Sequence, residues 1–161
     1  MSRPIHAGTV FLANEQADDV GEIDLSALAL HVLEHEGYPD RVEVTVLLVD
    51  EPTIAGYNER FMGRDGATDV LAFPLEPLKA GTAPEIREID PPMNLGDVVI
   101  APSYVTRQAA EFGVTLEDEL ALMLVHGMLH LMGWDHPDDE DAEAMEAREG
   151  AILARVGRTR R

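Results

Sequence analysis

The chain contains no cysteine, which excludes a disulfide framework, a thiol nucleophile and any thiolate site for zinc or an iron–sulfur cluster. Aromatic residues make up only 5% of it, and Lys79 is its single lysine, the other basic residues being arginine. Twelve basic residues face 31 acidic ones, a formal net charge of −19. A surface so negative repels polyanions at long range and argues against nonspecific nucleic-acid binding, although a local basic groove remains compatible with it. No apolar run is long enough to cross a bilayer, because the richest window, residues 120–132, is broken by histidine and glycine. Residues 1–20 lack the apolar core and cleavage pattern of a secretory signal. A soluble, cytoplasmic protein with no membrane association is therefore expected.

What is present suffices for one domain. In 161 residues, 45% are apolar, enough to bury a core without covalent help. Residues 9–13 (TVFLA) read as a first strand. Leu25, Leu28, Ala29 and Val32 repeat at helical spacing, with Asp24 as N-cap and Gly37 past the end. Residues 42–50 (VEVTVLLVD) are β-branched and nearly continuously apolar, the pattern of a central strand. A short helix follows from Pro52 to Gly63, then a strand over 68–75 (TDVLAFPL). Residues 76–94 are proline-rich, acidic and without apolar period, which predicts a long surface loop. A strand at 95–102 and a helix at 102–113 come next. Thr115 and Asp118 open a helix that Gly133 closes, and a last helix runs over 138–156 with acids at its start. The fold class expected is α/β (α+β), a single domain spanning 1–156 with about four strands and five helices, followed by a basic tail, 157–161 (GRTRR).

Residues 126–136, HGMLHLMGWDH, place three of the six histidines within eleven positions. His126 and His130 stand one helical turn apart, so their side chains leave one face about 6 Å apart at Cβ. Gly133 lets the chain turn, and His136 returns as a third donor. Three neutral nitrogens leave a tetrahedral ion one open position, the arrangement of a catalytic rather than a structural zinc. Metzincin peptidases share this spacing but carry glutamate after the first histidine. Here that position is Gly127, and the missing carboxylate argues against peptide hydrolysis by their route. His31 and His35 share the four-residue spacing, yet they fall off their helix's apolar stripe and have no third donor beyond a turn, so both are read as solvent-facing. His6, alone near the terminus, is read as a surface residue. Asp135 has two readings, an acceptor or acid/base group beside the metal or a turn residue. Trp134 is expected to pack at the site's rim, and Met123, Met128 and Met132 to fill core.

With these residues in view, the sequence resembles the YbeY family of bacterial endoribonucleases, also called rRNA maturation factors. The resemblance rests on TDVLAFPL (68–75), LGDVVIAP (95–102), HGMLHLMGWDH (126–136) and AMEAREGAIL (144–153), in that order, and covers most of the chain from residue 42. It implies a single-strand-selective endoribonuclease that uses one zinc ion, acts in maturing the 3′ end of small-subunit rRNA and in ribosome quality control, and works with ribosomal components and assembly GTPases. By motif position the family's zinc ligands fall on His126, His130 and His136. The family often has an arginine four residues after the asparagine that corresponds to Asn58. Met62 stands there instead, with Arg60 and Arg64 on either side as substitutes.

Zinc-bound water ionising near neutral pH would serve as base or nucleophile, while the ion polarises the phosphate. Arg60, Arg64 and Arg107 are candidate cations for the substrate, each alternatively a solvated surface arginine. Asn58, Thr68 and Asp69 are candidate substrate-side groups, the last two alternatively the start of a strand. Two other functions fit the same residues: a metal-dependent hydrolase of another bond, peptide included, and a ribosome-assembly binding protein with a non-catalytic metal.

Overall fold

A computed structural model describes residues 8–161, so His6 lies outside the described residues. Ten elements follow in order: β1 (Thr9–Asn14), α1 (Leu25–His35), β2 (Val42–Leu48), α2 (Glu51–Tyr57) continued by a π-helical turn (Asn58–Met62), β3 (Val70–Pro74), β4 (Met93–Ile100), α3 (Pro102–Phe112), α4 (Leu116–Leu131) and α5 (Asp139–Ala154). The four strands form one sheet in the order β1-β2-β4-β3. β1 and β2 are parallel, as are β2 and β4, and β3 runs antiparallel to β4 at the edge. The expected four strands and five helices form, and the strands make one mixed sheet.

Among the boundaries that differ from the sequence reading, three have a clear local reason. β2 ends at Leu48 because Asp50 turns its carboxylate to the Thr53 N–H and caps α2. β3 begins at Val70, one residue after Asp69 takes the Val70 N–H at 2.7 Å. β4 starts at Met93, whose N–H donates to the Arg41 carbonyl, so the loop before it is shorter than expected. That loop is also not wholly at the surface: Leu78, Ala83 and Ile86 pack against the main core.

α4 lies at the centre. Leu120 to Val125, Gly127 to Leu129 and Leu131 are all buried. Its neighbours are α1, α3, α5, β3 and β4. Each fully buried leucine or methionine there contributes about 1.5–3 kcal/mol, which makes α4 the anchor of the fold. The start is fixed by Thr115, whose hydroxyl accepts the Asp118 N–H at 3.1 Å, with Glu117, Asp118 and Glu119 at the positive end of the helix dipole. Only one sector of the last two turns escapes burial, and it carries His126 and His130. A smaller core of Val49, Ile54, Leu71, Val99 and Ala101 fills the sheet's other face beneath α2.

Gly127 decides how closely α4 meets the sheet. A Cβ there would stand 2.6 Å from Val98 Cγ1 and 3.3 Å from Val70 Cγ2. A side chain fits only if Val98 or the helix shifts, and the larger glutamate that metzincins place after the first histidine would need a larger shift still.

Candidate metal centre

The three imidazoles anticipated from the spacing come together. His126, His130 and His136 each offer a nitrogen, and these atoms lie within 4.8 Å of one another. His126 and His130 come from consecutive turns of α4. His136 arrives because α4 ends at Leu131 with Met132 as its cap, and Gly133 takes φ +94°, a conformation that side-chain-bearing residues avoid. A Cβ on Gly133 would also strike the Leu78 carbonyl at 2.2 Å, so the chain leaves the helix pressed against the preceding loop.

Two of the rings are held from behind. His126 Nδ1–H donates to Glu149 Oε2 at 2.6 Å, and His130 Nδ1–H donates to the Trp134 carbonyl at 2.9 Å. Both partners are acceptors, so both protons sit on Nδ1 and both Nε2 atoms carry lone pairs. Those two Nε2 atoms face each other at 3.1 Å. Two lone pairs at that distance repel unless a cation joins them, and tetrahedral zinc with Zn–N near 2.0–2.1 Å sets its nitrogens roughly 3.3 Å apart. Donor chemistry and spacing therefore fit a metal ion. Burial, and then the nearby His126 and His136, push His130 below the usual imidazole range, which keeps it neutral as a ligand must be.

Glu149 is 1% exposed. Burial alone would raise its carboxyl, but hydrogen bonds from His126 and from Arg160 outweigh that and hold it below its ordinary value. Sequence reading passed over this residue. Met145, Glu149, Ile152 and Leu153 are the buried positions of α5, and their i, i+4, i+7, i+8 spacing places a carboxylate on an apolar stripe. That misplaced charge was the available signal.

The triad opens into a cleft of about 800 Å³ running over β3 and along α4. Asn58, Met62, Arg64, Thr68, Asp69 and Asp135 border it. Asp135 is exposed and accepts the backbone N–H of His136 at 2.8 Å. That bond suits its turn reading, whereas the acceptors of the ligand rings are Glu149 and the Trp134 carbonyl. Asn58 is buried and spends its amide on the Gly66 carbonyl at 3.0 Å, fixing the segment that carries Arg64. Thr68 donates to Asp69 Oδ1 at 3.2 Å, and Asp69 Oδ2 accepts from Gln108 at 3.1 Å.

Two candidate cations lie elsewhere. Arg107 is bound to Glu51 through two bonds of 2.6 Å, and Arg60 leans over the exposed Phe61 ring. Neither borders the cleft. The basic side chains that do are Arg64, Arg160 and Arg161, the latter two from the tail. Arg158 of the same tail pairs with Asp118 at 2.7 Å.

His31 and His35 correct another expectation. They are half-buried rather than solvent-facing: His31 Nε2 lies 3.1 Å from the Ile152 carbonyl and His35 Nδ1 lies 2.9 Å from Glu36. For His31 the reason is that α5 presents the Ile152 carbonyl to it, and for His35 that its neighbour Glu36 is held by Arg148 of α5, both beyond the reach of a single-helix pattern. Met123, Met128 and Met132 are core, as expected, and Trp134 packs at the rim.

Comparison with known proteins agrees with this picture. A family model described as Endoribonuclease YbeY matches residues 11–157. The Endoribonuclease YbeY of Acidothermus cellulolyticus is 42% identical, the match covering 90% of this chain and 89% of that protein. The Endoribonuclease YbeY of Salinispora tropica is 39% identical, with 94% and 98% covered. The solution structure of TM1509 from Thermotoga maritima superposes with a TM-score of 0.56 at 26% identity, over 92% of this chain and 91% of that one. A family match spanning nearly the whole chain, with its histidine motif folded into a three-nitrogen cluster, places this protein in the YbeY family.

Proposed function

We propose that this protein is a zinc-dependent endoribonuclease that selects single-stranded RNA, acting in the maturation of the 3′ end of small-subunit rRNA and in ribosome quality control. On this reading it is cytoplasmic and meets the small ribosomal subunit and its assembly factors. The observation that carries the chemistry is the approach of two Nε2 lone pairs to 3.1 Å, with both Nδ1 protons tied behind them. His126, His130 and His136 would hold one ion. Bound zinc would supply a Lewis acid for the phosphoryl group and a water that ionises near neutral pH.

The chain's own residues supply the rest. Glu149 and the Trp134 carbonyl keep two rings aimed at one point, so the orientation of these two donors is set in advance. The candidate metal cluster has three members among the described residues; Glu149 faces the back of His126 and Asp135 is tied to its own turn. Among the described residues no further side chain joins the cluster, in keeping with catalysis rather than a structural site. Peptide hydrolysis by the metzincin route is disfavoured because the space beside Gly127 is filled by Val98.

Incubating zinc-loaded and chelated protein with single-stranded RNA, double-stranded RNA and casein tests this reading. Zinc-dependent cleavage of single-stranded RNA alone is expected. Casein cleavage, or RNA cleavage unaffected by chelation, would overturn it.

A further inference from the structure

Glu149 lines the cleft and Glu119 stands one helical turn before Met123, which also lines it; each glutamate is only 1% exposed. Glu119 belongs to the stripe of α4 that continues through Met123, His126 and His130 toward the metal end. Buried carboxylates are costly without counter-ions, and the tail supplies both.

The two tail arginines are used differently. Arg160 is committed through all three nitrogens: Nε to Glu149 Oε1 at 2.9 Å, Nη2 to Glu146 at 3.5 Å and Nη1 to the main-chain oxygen of Arg161 at 2.6 Å. Arg161 binds only through Nε, to the two Glu119 oxygens at 2.8 and 3.0 Å. Its guanidinium carbon stands 3.6 Å from the centroid of the Phe112 ring. Gln108 holds Glu119 from another side at 2.7 Å. The plane of the Arg161 fork is thus set by a ring and a fixed carboxylate. Its two terminal nitrogens have no hydrogen-bond partner among the described residues, and the side chain borders the cleft.

We propose that Arg161 is a phosphate-binding residue of this protein, gripping a backbone phosphate of single-stranded RNA away from the bond that is cut. The proposal rests on the ribonuclease reading of the metal site. A planar fork with two free, parallel donors matches the oxygens of a phosphate. Holding that fork in place beforehand removes the ordering cost that a free surface arginine would incur on binding. On a chain of net charge −19, RNA needs such a local cation, and position 62 at the cleft border is methionine.

The test is equilibrium binding of fluorescein-labelled single-stranded RNA dodecamers to the full chain in chelator, followed by anisotropy across a salt series. Wild type is compared with Arg161→Gln, Arg161→Lys and the pair Glu119→Gln/Arg161→Gln, which removes both charges together and so protects the fold. Arg161→Gln is expected to bind about tenfold more weakly, equally for all oligonucleotide sequences. The slope of log K against log salt should fall by about 0.7, the loss of one phosphate contact on a single strand. The paired variant should show the same loss. Lysine should restore the slope but not the affinity, since it lacks the fork. In the zinc-loaded enzyme KM should rise with kcat unchanged. If Arg161→Gln melts at a lower temperature yet keeps wild-type affinity and slope, the residue only neutralises Glu119 and the inference fails alone. If wild type neither binds nor cuts RNA, the ribonuclease reading fails with it.

Discussion

Replacing Gly127 by alanine tests whether helix and sheet are packed as tightly as the metal site requires. The new methyl carbon would lie 2.6 Å from Val98 Cγ1 and 3.3 Å from Val98 Cγ2 and Val70 Cγ2, against a comfortable carbon–carbon separation of about 3.5–4.0 Å. Val98 is completely buried on β4, between two strands, so the overlap is relieved only if α4 or the strand shifts. Alanine gains about 1 kcal/mol over glycine in a helix interior, while forcing a methyl into a full core costs about 1–3 kcal/mol. With so short a contact the expected net loss is about 1–2 kcal/mol. Removing the clashing methyls by Val98→Ala should reverse the sign: in that background Gly127→Ala stabilises by up to about 1 kcal/mol. The coupling between the two sites is then about 2–3 kcal/mol, measurable by urea unfolding of the four metal-free proteins. Gly127→Ala alone should also weaken metal retention, since moving α4 carries His126 and His130 away from His136. An alanine effect of the same size and sign in both backgrounds would refute the packing argument.

Two further outcomes follow from the hydrogen bonds. Glu149→Gln removes the charge behind His126, and competition with a chromophoric chelator should show metal affinity lowered by about 10- to 100-fold; unchanged affinity would mean that Glu149 does not orient the ligand. Hydrogen bonds from Arg107, then Ser103, hold the Glu51 carboxyl down to about 2 against an ordinary value of 4.5. A depressed carboxyl stabilises the fold above its ordinary value, and that contribution is lost as pH falls toward 2. Glu51→Gln should therefore melt below wild type at pH 7, by no more than about 1 kcal/mol because water screens the pair. The gap should close between pH 4.5 and pH 2, and a gap that widens on acidification would contradict the assignment.

The metal centre was legible because its signal is local. His126 and His130 share a helix, Gly133 marks the helix end, and His136 lies three residues on, so spacing alone brings them together. The strands were legible for a similar reason, through period and turn residues. Contacts between distant elements were not. The partner of His31 is the Ile152 carbonyl on α5, more than a hundred residues later. Arg107 looked available for substrate because nothing in its own helix reveals Glu51, and Arg160 and Arg161 looked like a loose tail because their partners lie on α4 and α5. Glu149 falls between these cases: its place on an apolar stripe was visible, but its partner His126 was on another helix.

The proposed chemistry requires one ion held by His126, His130 and His136. Its most direct test is the metal content of His130→Ala beside wild type, after chelation, zinc reloading and exhaustive dialysis. One zinc per wild-type chain and essentially none in the folded variant is the result expected. Equal zinc in both proteins would contradict it.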